Sequence, residues 1–267
     1  MINRPIALLT DFGTLDHYVG SLKGVILGIN PKAVVFDITH EIRPQNIAEA
    51  SFVLEAAWNC IPREAIVVAV VDPGVGSARQ AIAIRWKNQF LIGPDNGIFT
   101  RVLQHVKSIE VRRIENDRFF RKPVSFTFHG RDIFSPVAAQ LSLGNVFSRL
   151  GPRVKEIRLL KIEKPQKDLN GINGTIVYID RFGNAFTNIR SDIVPSQIKK
   201  TMKVAVGSAK QRAFMRSCFS DGRARELIAV WNSNHNLELA VRNDSAEQLF
   251  RLKVGDLVHL VPAGKKR

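Results

Sequence analysis

Residues 5–39, PIALLTDFGTLDHYVGSLKGVILGINPKAVVFDIT, decide the fold. The segment opens on an apolar run, 5–10, that stops at Asp11-Phe12-Gly13. It closes on a second run, 33–39, rich in β-branched side chains. Both are short and end in polar or turn residues, as buried strands do. Between them, residues 19–29 repeat apolar positions at helical spacing. Further out, residues 46–60 form a stronger helical pattern, with Ile47, Ala50, Val53, Leu54, Ala57 and Trp58 on one face. Asn46 is placed to cap it, and Glu49 follows three residues on, as in a capping box. A third apolar run, AIVVAVV, occupies 65–71. Strand, helix, strand, helix, strand predicts a largely parallel α/β sheet. Residues 81–86 and 89–92 read as strands joined by a tight turn. Residues 132–143 read as a helix with Pro136 near its first turn.

The pattern changes near residue 165. Residues 161–173 are polar and carry Pro165, Asn170 and Gly171. Short strands follow at 174–179, 185–189, 202–206, 227–231, 237–241 and 257–261, separated by turn signals. That spacing predicts a small β-barrel or sandwich. The expected organisation is an N-terminal α/β domain over 1–165 and a smaller C-terminal all-β, barrel-like domain over 170–267, with the boundary within 162–172.

At 267 residues and 45% hydrophobic content, the chain is long enough for at least one real core. Its two cysteines, Cys60 and Cys218, are too few for a disulfide framework or a cysteine-only zinc site. No apolar run approaches the ~18 residues of a membrane span. The opening residues MINRPIALLTDFG lack the apolar core and small-residue cleavage site of a signal peptide. A soluble, cytoplasmic protein is expected. The formal charge is +15. Residues 1–165 carry 22 basic against 15 acidic groups, and 166–267 carry 17 against 9. The excess is thus spread, whereas a nucleic-acid arm concentrates it. Its densest patches are Arg112-Arg113, 118–122 and 265–267. A basic protein that binds nucleotide or nucleic acid without catalysis remains the rival class.

In an open parallel sheet, ligands bind at the carboxyl ends of the strands. Asp11 ends the first apolar run and Asp72 ends the third. Asp72 opens Asp72-Pro73-Gly74-Val75-Gly76-Ser77, whose glycines let backbone N–H groups approach a ligand. The loop reads equally as an ordinary strand-to-turn connection. Neither GxxxxGK[ST] nor a GxGxxG after the first strand is present. Arg79 can pair with Asp72, cap the loop or lie on the surface. His129 follows what reads as an aromatic strand, 126–128, and precedes a glycine and a helix start. That placement suits either a site residue or a structural histidine. Histidines 17, 40, 105, 235 and 259 have no metal-ligand spacing, and His40-Glu41 lacks the second histidine of a zincin pair. Cys60 falls on the apolar helix face and is expected in the core, and Cys218 has no CxxC partner. Residues 180–188, DRFGNAFTN, put an acid, an aromatic and an amide at a strand-to-strand turn. Residues 231–245 read as strand, polar turn, strand, turn. Either could be a plain hairpin.

Several ordered blocks carry more than any one of these features: LLTDFGTLDHYVGSLKG at 8–24, FDITHEI at 36–42, VVDPGVGS at 70–77, GPDNG at 93–97, FHGRDIFSPVAA at 128–139, IDRFGNAFTNI at 179–189 and NSNHNLELAV at 232–241. Together they resemble the S-adenosylmethionine hydrolases, or SAM hydroxide adenosyltransferases, a family related to the bacterial fluorinase and chlorinase. The resemblance spans nearly the whole chain. It implies an α/β domain and a smaller β domain, and hydrolysis of S-adenosyl-L-methionine to adenosine and L-methionine with no metal or cofactor. It also implies a homotrimer, or a hexamer of trimers, with each active site between subunits, and no membrane or nucleic-acid partner. The family's Asp-Arg-His trio falls on Asp72, Arg79 and His129. Halide-using relatives have a Tyr-Pro-Ala-Thr type segment where this chain has Asp72-Pro73-Gly74-Val75, which speaks against a halogenase.

By the same resemblance Asp11 accepts the ribose hydroxyls and Asp180 holds the methionine ammonium. Phe182 and Phe219 sandwich the adenine, Asn184 bonds its edge, and Ser233 meets the methionine carboxylate. Glu238 and the backbone near Val241 lie within reach of the adenine. Two departures stand out. Many relatives have an aromatic where Gln45 sits, and halogenases have an arginine where Asn234 sits.

Overall fold

The computed structural model describes residues 4–144, 147–169, 171–194, 202–207 and 211–262. The chain divides into two compact units, Met1–Lys161 and Ile162–Arg267. The basic tail 265–267 lies outside the described residues.

In the first unit six strands, β1 (Ile6–Thr10), β2 (Val35–Thr39), β3 (Ile66–Val70), β4 (Ala81–Trp86), β5 (Gln89–Pro94) and β6 (Glu110–Arg113), form one sheet in the order β2-β1-β3-β5-β4-β6. β1, β2, β3 and β5 pair in parallel, and β4 runs antiparallel to both neighbours. Helices α1 (Tyr18–Ile29), α2 (Ile47–Ala57), α3 (Thr100–Leu103) and α4 (Ser135–Ser142) cover it. Ile6 and Leu8 of β1 pack into a core with Leu22 and Ile26 of α1 and Val137 of α4. Ala7 and Leu9 face the other way, toward Ala50 and Leu54 of α2 and Val102 of α3. With helices on both faces every β1 position is buried, which is why its sequence is continuously apolar rather than alternating.

Asn46 caps the helix, but the return half of the box is made through its side chain, because its backbone N–H goes to the Arg43 carbonyl at 3.0 Å. Glu49 N–H donates to Asn46 Oδ1 at 3.0 Å, and Asn46 Nδ2 donates back to Glu49 Oε2 at 3.0 Å, an arrangement worth about 1 kcal/mol. After Ala57 the chain tightens into a 3₁₀ turn, Trp58–Cys60. Three residues per turn instead of 3.6 swing Cys60 off the apolar face. Trp58 stays buried, but Cys60 is exposed, contrary to expectation.

β1 lies between β2 and β3, so the chain crosses to one side and then to the other. Such a reversal opens a crevice at the carboxyl ends of the two strands where it occurs. Here these are the ends of β1 and β3, which carry Asp11 and Asp72.

The second unit contains β7 (Gln166–Asp168), β8 (Gly171–Ile179), β9 (Ala185–Arg190), β10 (Met202–Val206), β11 (Gln211–Met215), β12 (Leu227–Trp231), β13 (Asn236–Val241), α5 (Ala246–Phe250) and β14 (Leu257–Pro262). β14 pairs with both β10 and β8, so the strands from β8 round to β14 close into a barrel, and β7 adds to β8 outside the ring. Closure removes the sheet edges and selects the barrel over the sandwich. Along β9, buried Ala185, Thr187 and Ile189 alternate with partly exposed neighbours, and the first and last of these join the barrel core. Among the described residues, no helix is long and apolar enough to cross a membrane.

Candidate active site

The loop after β3 brings two distant residues to Asp72. Arg79 donates from Nε to Asp72 Oδ1 at 3.0 Å and Oδ2 at 2.9 Å, and its Nη2 also bonds Oδ2. The same Nη2 lies 2.7 Å from His129 Nδ1. The Asp72 and Arg79 side chains are only 5% and 6% exposed, so Arg79 is the partner of Asp72 and not a surface residue. Its guanidinium also lies 5.4 Å from the centre of the Phe134 ring.

Two local devices hold this constellation. Gly76 has φ +78°, and a Cβ there would sit 2.5 Å from the Phe126 carbonyl oxygen. Only glycine lets the Asp72 loop lie that close to the segment leading into His129. That segment is no strand. Residues 126–127 form a turn, followed by a π-helical turn, Gly130–Phe134, ahead of α4. The helix expected from 132 therefore begins earlier and wider, and His129 stands at its head. Fully buried Asp132 pins the arrangement. It accepts from Ser125 N–H at 2.9 Å, Arg131 Nε at 2.7 Å and Arg121 Nη1 at 3.2 Å. Burial opposes its charge, but these donors outweigh burial and hold its carboxyl below the usual range.

An arginine only donates, so His129 Nδ1 is the acceptor in this contact. The neutral imidazole then carries its proton on Nε2. Burial pushes the His129 pKa down, and the neighbouring Arg79 charge pushes it further; Asp72 and Asp132 pull the other way and lose.

Asp11 lies in the same place. Its Oδ2 accepts the Gln45 backbone N–H at 2.7 Å. Gln45 holds φ 65°, a left-handed conformation uncommon for a non-glycine residue and frequent at binding sites. Asp11, Gln45, Asp72 and His129 line a cavity of about 590 Å³ together with Phe12 and Tyr18. Phe12, Tyr18 and Phe128 form a ring cluster with centroids 5.3–5.9 Å apart. The cavity thus pairs an apolar wall with carboxylates, as small-molecule sites do. Among the described residues, no group of three or more His, Cys, Asp or Glu side chains is placed to hold a metal ion.

The second unit gathers part of its assigned set. Asp180 Oδ1 accepts the N–H groups of Phe182 and Asn184, each at 2.9 Å. Glu238 is buried with Asn184 and Asn232 near its carboxyl, although Asn232 Nδ2 makes no hydrogen bond among the described residues. Burial raises the Glu238 pKa, and the negative charge of Asp180 raises it more; the two amides oppose this and lose. Phe182 presents its ring outward at 75% exposure, and Phe219, on the separate turn Phe219–Asp221, is 46% exposed. Ser233 is exposed in the β12–β13 turn beside Asn232. The Val241 side chain is buried in the barrel core and so is not available to a ligand, while its carbonyl accepts Asp244 N–H at 3.3 Å.

Sequence reasoning passed over Thr10 and Asp132 and weighed His40 only as a metal ligand. Thr10 carries no chemical signature at its spacing. Asp132 could have been flagged as an acid at a helix start flanked by arginines.

Known families match both units. The description SAM hydroxide adenosyltransferase N-terminal domain matches residues 6–151, and that of the C-terminal domain matches 174–259. A protein named (R)-S-adenosyl-L-methionine hydrolase from Methanocaldococcus jannaschii is 36% identical, over 96% of this chain and 95% of its own. A fluorinase from Actinopolyspora mzabensis is 23% identical, over 95% of this chain and 96% of its own. The crystal structure of an uncharacterized conserved protein from Thermotoga maritima superposes with a TM-score of 0.89 at 40% identity, covering 96% of this chain and 99% of that one. With two matches that together take in most of its length, the chain belongs to the SAM hydroxide adenosyltransferase family.

Proposed function

We propose that this protein hydrolyses S-adenosyl-L-methionine to adenosine and L-methionine. Water attacks ribose C5′ in line with the departing sulfur. The observation that carries the reading is the Asp72–Arg79–His129 constellation in a cavity at the carboxyl ends of β1 and β3. It stands in a chain whose full-length relatives at 32–36% identity are named for that hydrolysis.

A sulfonium leaves as a neutral thioether, so no acid is needed at the leaving group. The barrier lies in placing water and drawing off its proton. Asp72 accepts from the water, and its oxygens retain lone pairs beyond those taken by Arg79. His129 has Nδ1 engaged by Arg79, so it faces the water as an Nε2–H donor that fixes the oxygen. Arg79 holds both partners and places positive charge where hydroxide character develops. Asp11 takes the ribose hydroxyls. Phe182 and Phe219 cover the adenine, Asn184 and Glu238 meet its edge, Asp180 takes the ammonium and Ser233 the carboxylate. Near Val241 only the main chain contributes. The active enzyme is a cytoplasmic homotrimer, or a hexamer of trimers, in which the first unit of one subunit meets the second unit of its neighbour. It needs no metal or cofactor.

The test is product analysis in ¹⁸O-water with excess chloride and a chelator. Adenosine labelled at the 5′ oxygen, with unlabelled methionine, is expected. A 5′-chloronucleoside, or loss of turnover with the chelator, overturns the reading. The high basic charge motivates the rival, a nucleic-acid binder. Binding of oligonucleotide that weakens steeply with salt, in a protein without turnover, would favour it.

A further inference from the structure

β1 ends in Thr10, whose side chain is fully buried and therefore out of reach of any substrate. Its Oγ1 nevertheless takes part in a directed chain. Phe12 N–H donates to Thr10 Oγ1 at 3.2 Å. That leaves the Thr10 hydroxyl proton for His40 Nδ1, 2.8 Å away. His40, 3% exposed, then carries its proton on Nε2, which lies 3.1 Å from Asp37 Oδ1 as an ion-pair-range contact and not a well-aligned hydrogen bond. Lys23 Nζ on α1 closes the chain at Asp37 Oδ2, 2.7 Å away. The same stretch grips the turn after β1 twice more. The His40 carbonyl accepts Gly13 N–H at 2.7 Å, and Gln45 N–H donates to Asp11 Oδ2 at 2.7 Å. Gly13 itself has φ +66°, which frees the chain to make this tight turn.

We infer that Thr10 and His40, backed by Asp37 and Lys23, are positioning residues that fix the Asp11 carboxylate for the ribose hydroxyls of the substrate. The inference rests on the reading of Asp11 as the ribose clamp. It differs from the bland account of a satisfied core histidine. Three contacts converge on the four residues 10–13, and none of those four is needed at this site to build the sheet beyond Thr10 itself. A carboxylate recognises two neighbouring hydroxyls only if both oxygens are held at a set angle, and a loose turn spreads them over many.

The experiment measures binding of adenosine and of 2′-deoxyadenosine by calorimetry, in wild type, Asp11→Ala, Thr10→Val, Thr10→Ser and His40→Ala. Calorimetry separates affinity from the fraction of competent protein. In wild type, adenosine should bind roughly tenfold or more tightly than its deoxy analogue, the usual worth of a hydroxyl bonded to a charged group. Asp11→Ala should erase that preference. Thr10→Val and His40→Ala should reduce it to within about threefold of unity, and Thr10→Ser should restore it, because serine keeps the hydroxyl. A purely structural role lowers the competent fraction and leaves the preference intact. If His40→Ala does not fold, Thr10→Val, nearly the same shape, still decides. Collapse of the preference in Asp11→Ala with full preference in Thr10→Val overturns the inference alone. No preference in wild type overturns the ribose-clamp reading, and the inference with it.

Discussion

The two units present the residues assigned to the site differently. In the first, the Asp72 and Arg79 side chains are almost wholly buried, bonded to each other, and tied to His129. In the second, Phe182 and Phe219 stand open to solvent, and the buried carboxyl of Glu238 has two amides and another carboxylate for neighbours. On the roles proposed above, the contrast separates two kinds of work. Groups that must stabilise charge developing in a reaction are set and dried in advance, since rearranging them during the reaction would cost as much as they return. Rings that stack on a ligand gain by being covered, so they can wait exposed.

The sharpest way to break this contrast is to unpair the first cluster. Arg79→Met leaves the Asp72 carboxylate buried without its cation. Stability should fall by about 3–5 kcal/mol, read from urea unfolding. A loss under ~1 kcal/mol would mean that water already reaches Asp72 and that the site is not preset. Next in size is Asp72→Asn, which keeps the shape and removes the charge. Turnover should drop ~10²-fold or more while KM stays within about threefold. Near-normal turnover would make Asp72 structural. In the second unit the expectation inverts. Phe182→Ala should weaken substrate binding about tenfold, the range of one base stacked on one ring, with kcat little changed. A fall in kcat without a change in KM would place Phe182 with the chemistry and erase the distinction.

Much of this was legible in the chain. β1 and β3 announced themselves because strands buried on both faces must be apolar throughout, partly exposed β2 at the sheet edge by its β-branched run, and Asn46 and Glu49 announced their helix through a local capping pattern. The trio emerged only from ordered sequence blocks. Nothing in the composition of residues 72–79 says that Arg79 turns back onto Asp72. β11 was missed because Gln211 and Arg212 look like loop, although the strand pairs antiparallel with β10 just before it and parallel with β12 just after. α5 was missed because a five-residue helix has no periodicity to read, although Ser245 caps it through Gln248 N–H at 3.1 Å. By side chain, Gln45 stands out only for lacking an aromatic ring. Its role here is its backbone N–H in a left-handed conformation, which no side-chain identity reveals. Cys60 was misplaced because a change of helical pitch over one turn moves a residue off a face that the 3.6-residue rule assigns it.

The smallest expected effects are those of pH, and they too should differ between the units. His129 must stay neutral for Nδ1 to accept from Arg79, and burial together with the Arg79 charge holds its pKa below the ordinary histidine value. Activity should therefore persist as pH falls through that value, with the acid limb of kcat/KM lying below about 6.5. A limb at or above the ordinary value would mean that the Arg79 contact does not bear on the working state. Glu238 acts on the other side. Its folded pKa is raised by burial first and by Asp180 second, so folding favours the protonated acid. Below the ordinary glutamate value both states are protonated and nothing is lost. As pH rises, the unfolded chain ionises first, and stability declines until the raised folded value is passed. Glu238→Gln keeps the shape and cannot ionise. Its melting temperature should match wild type below the ordinary glutamate value and exceed it increasingly as pH rises above that value, where the wild type has to bury a charge. Parallel curves for the two proteins across that range would show that Glu238 is already ionised in the fold, and that the second unit also holds its charges preset.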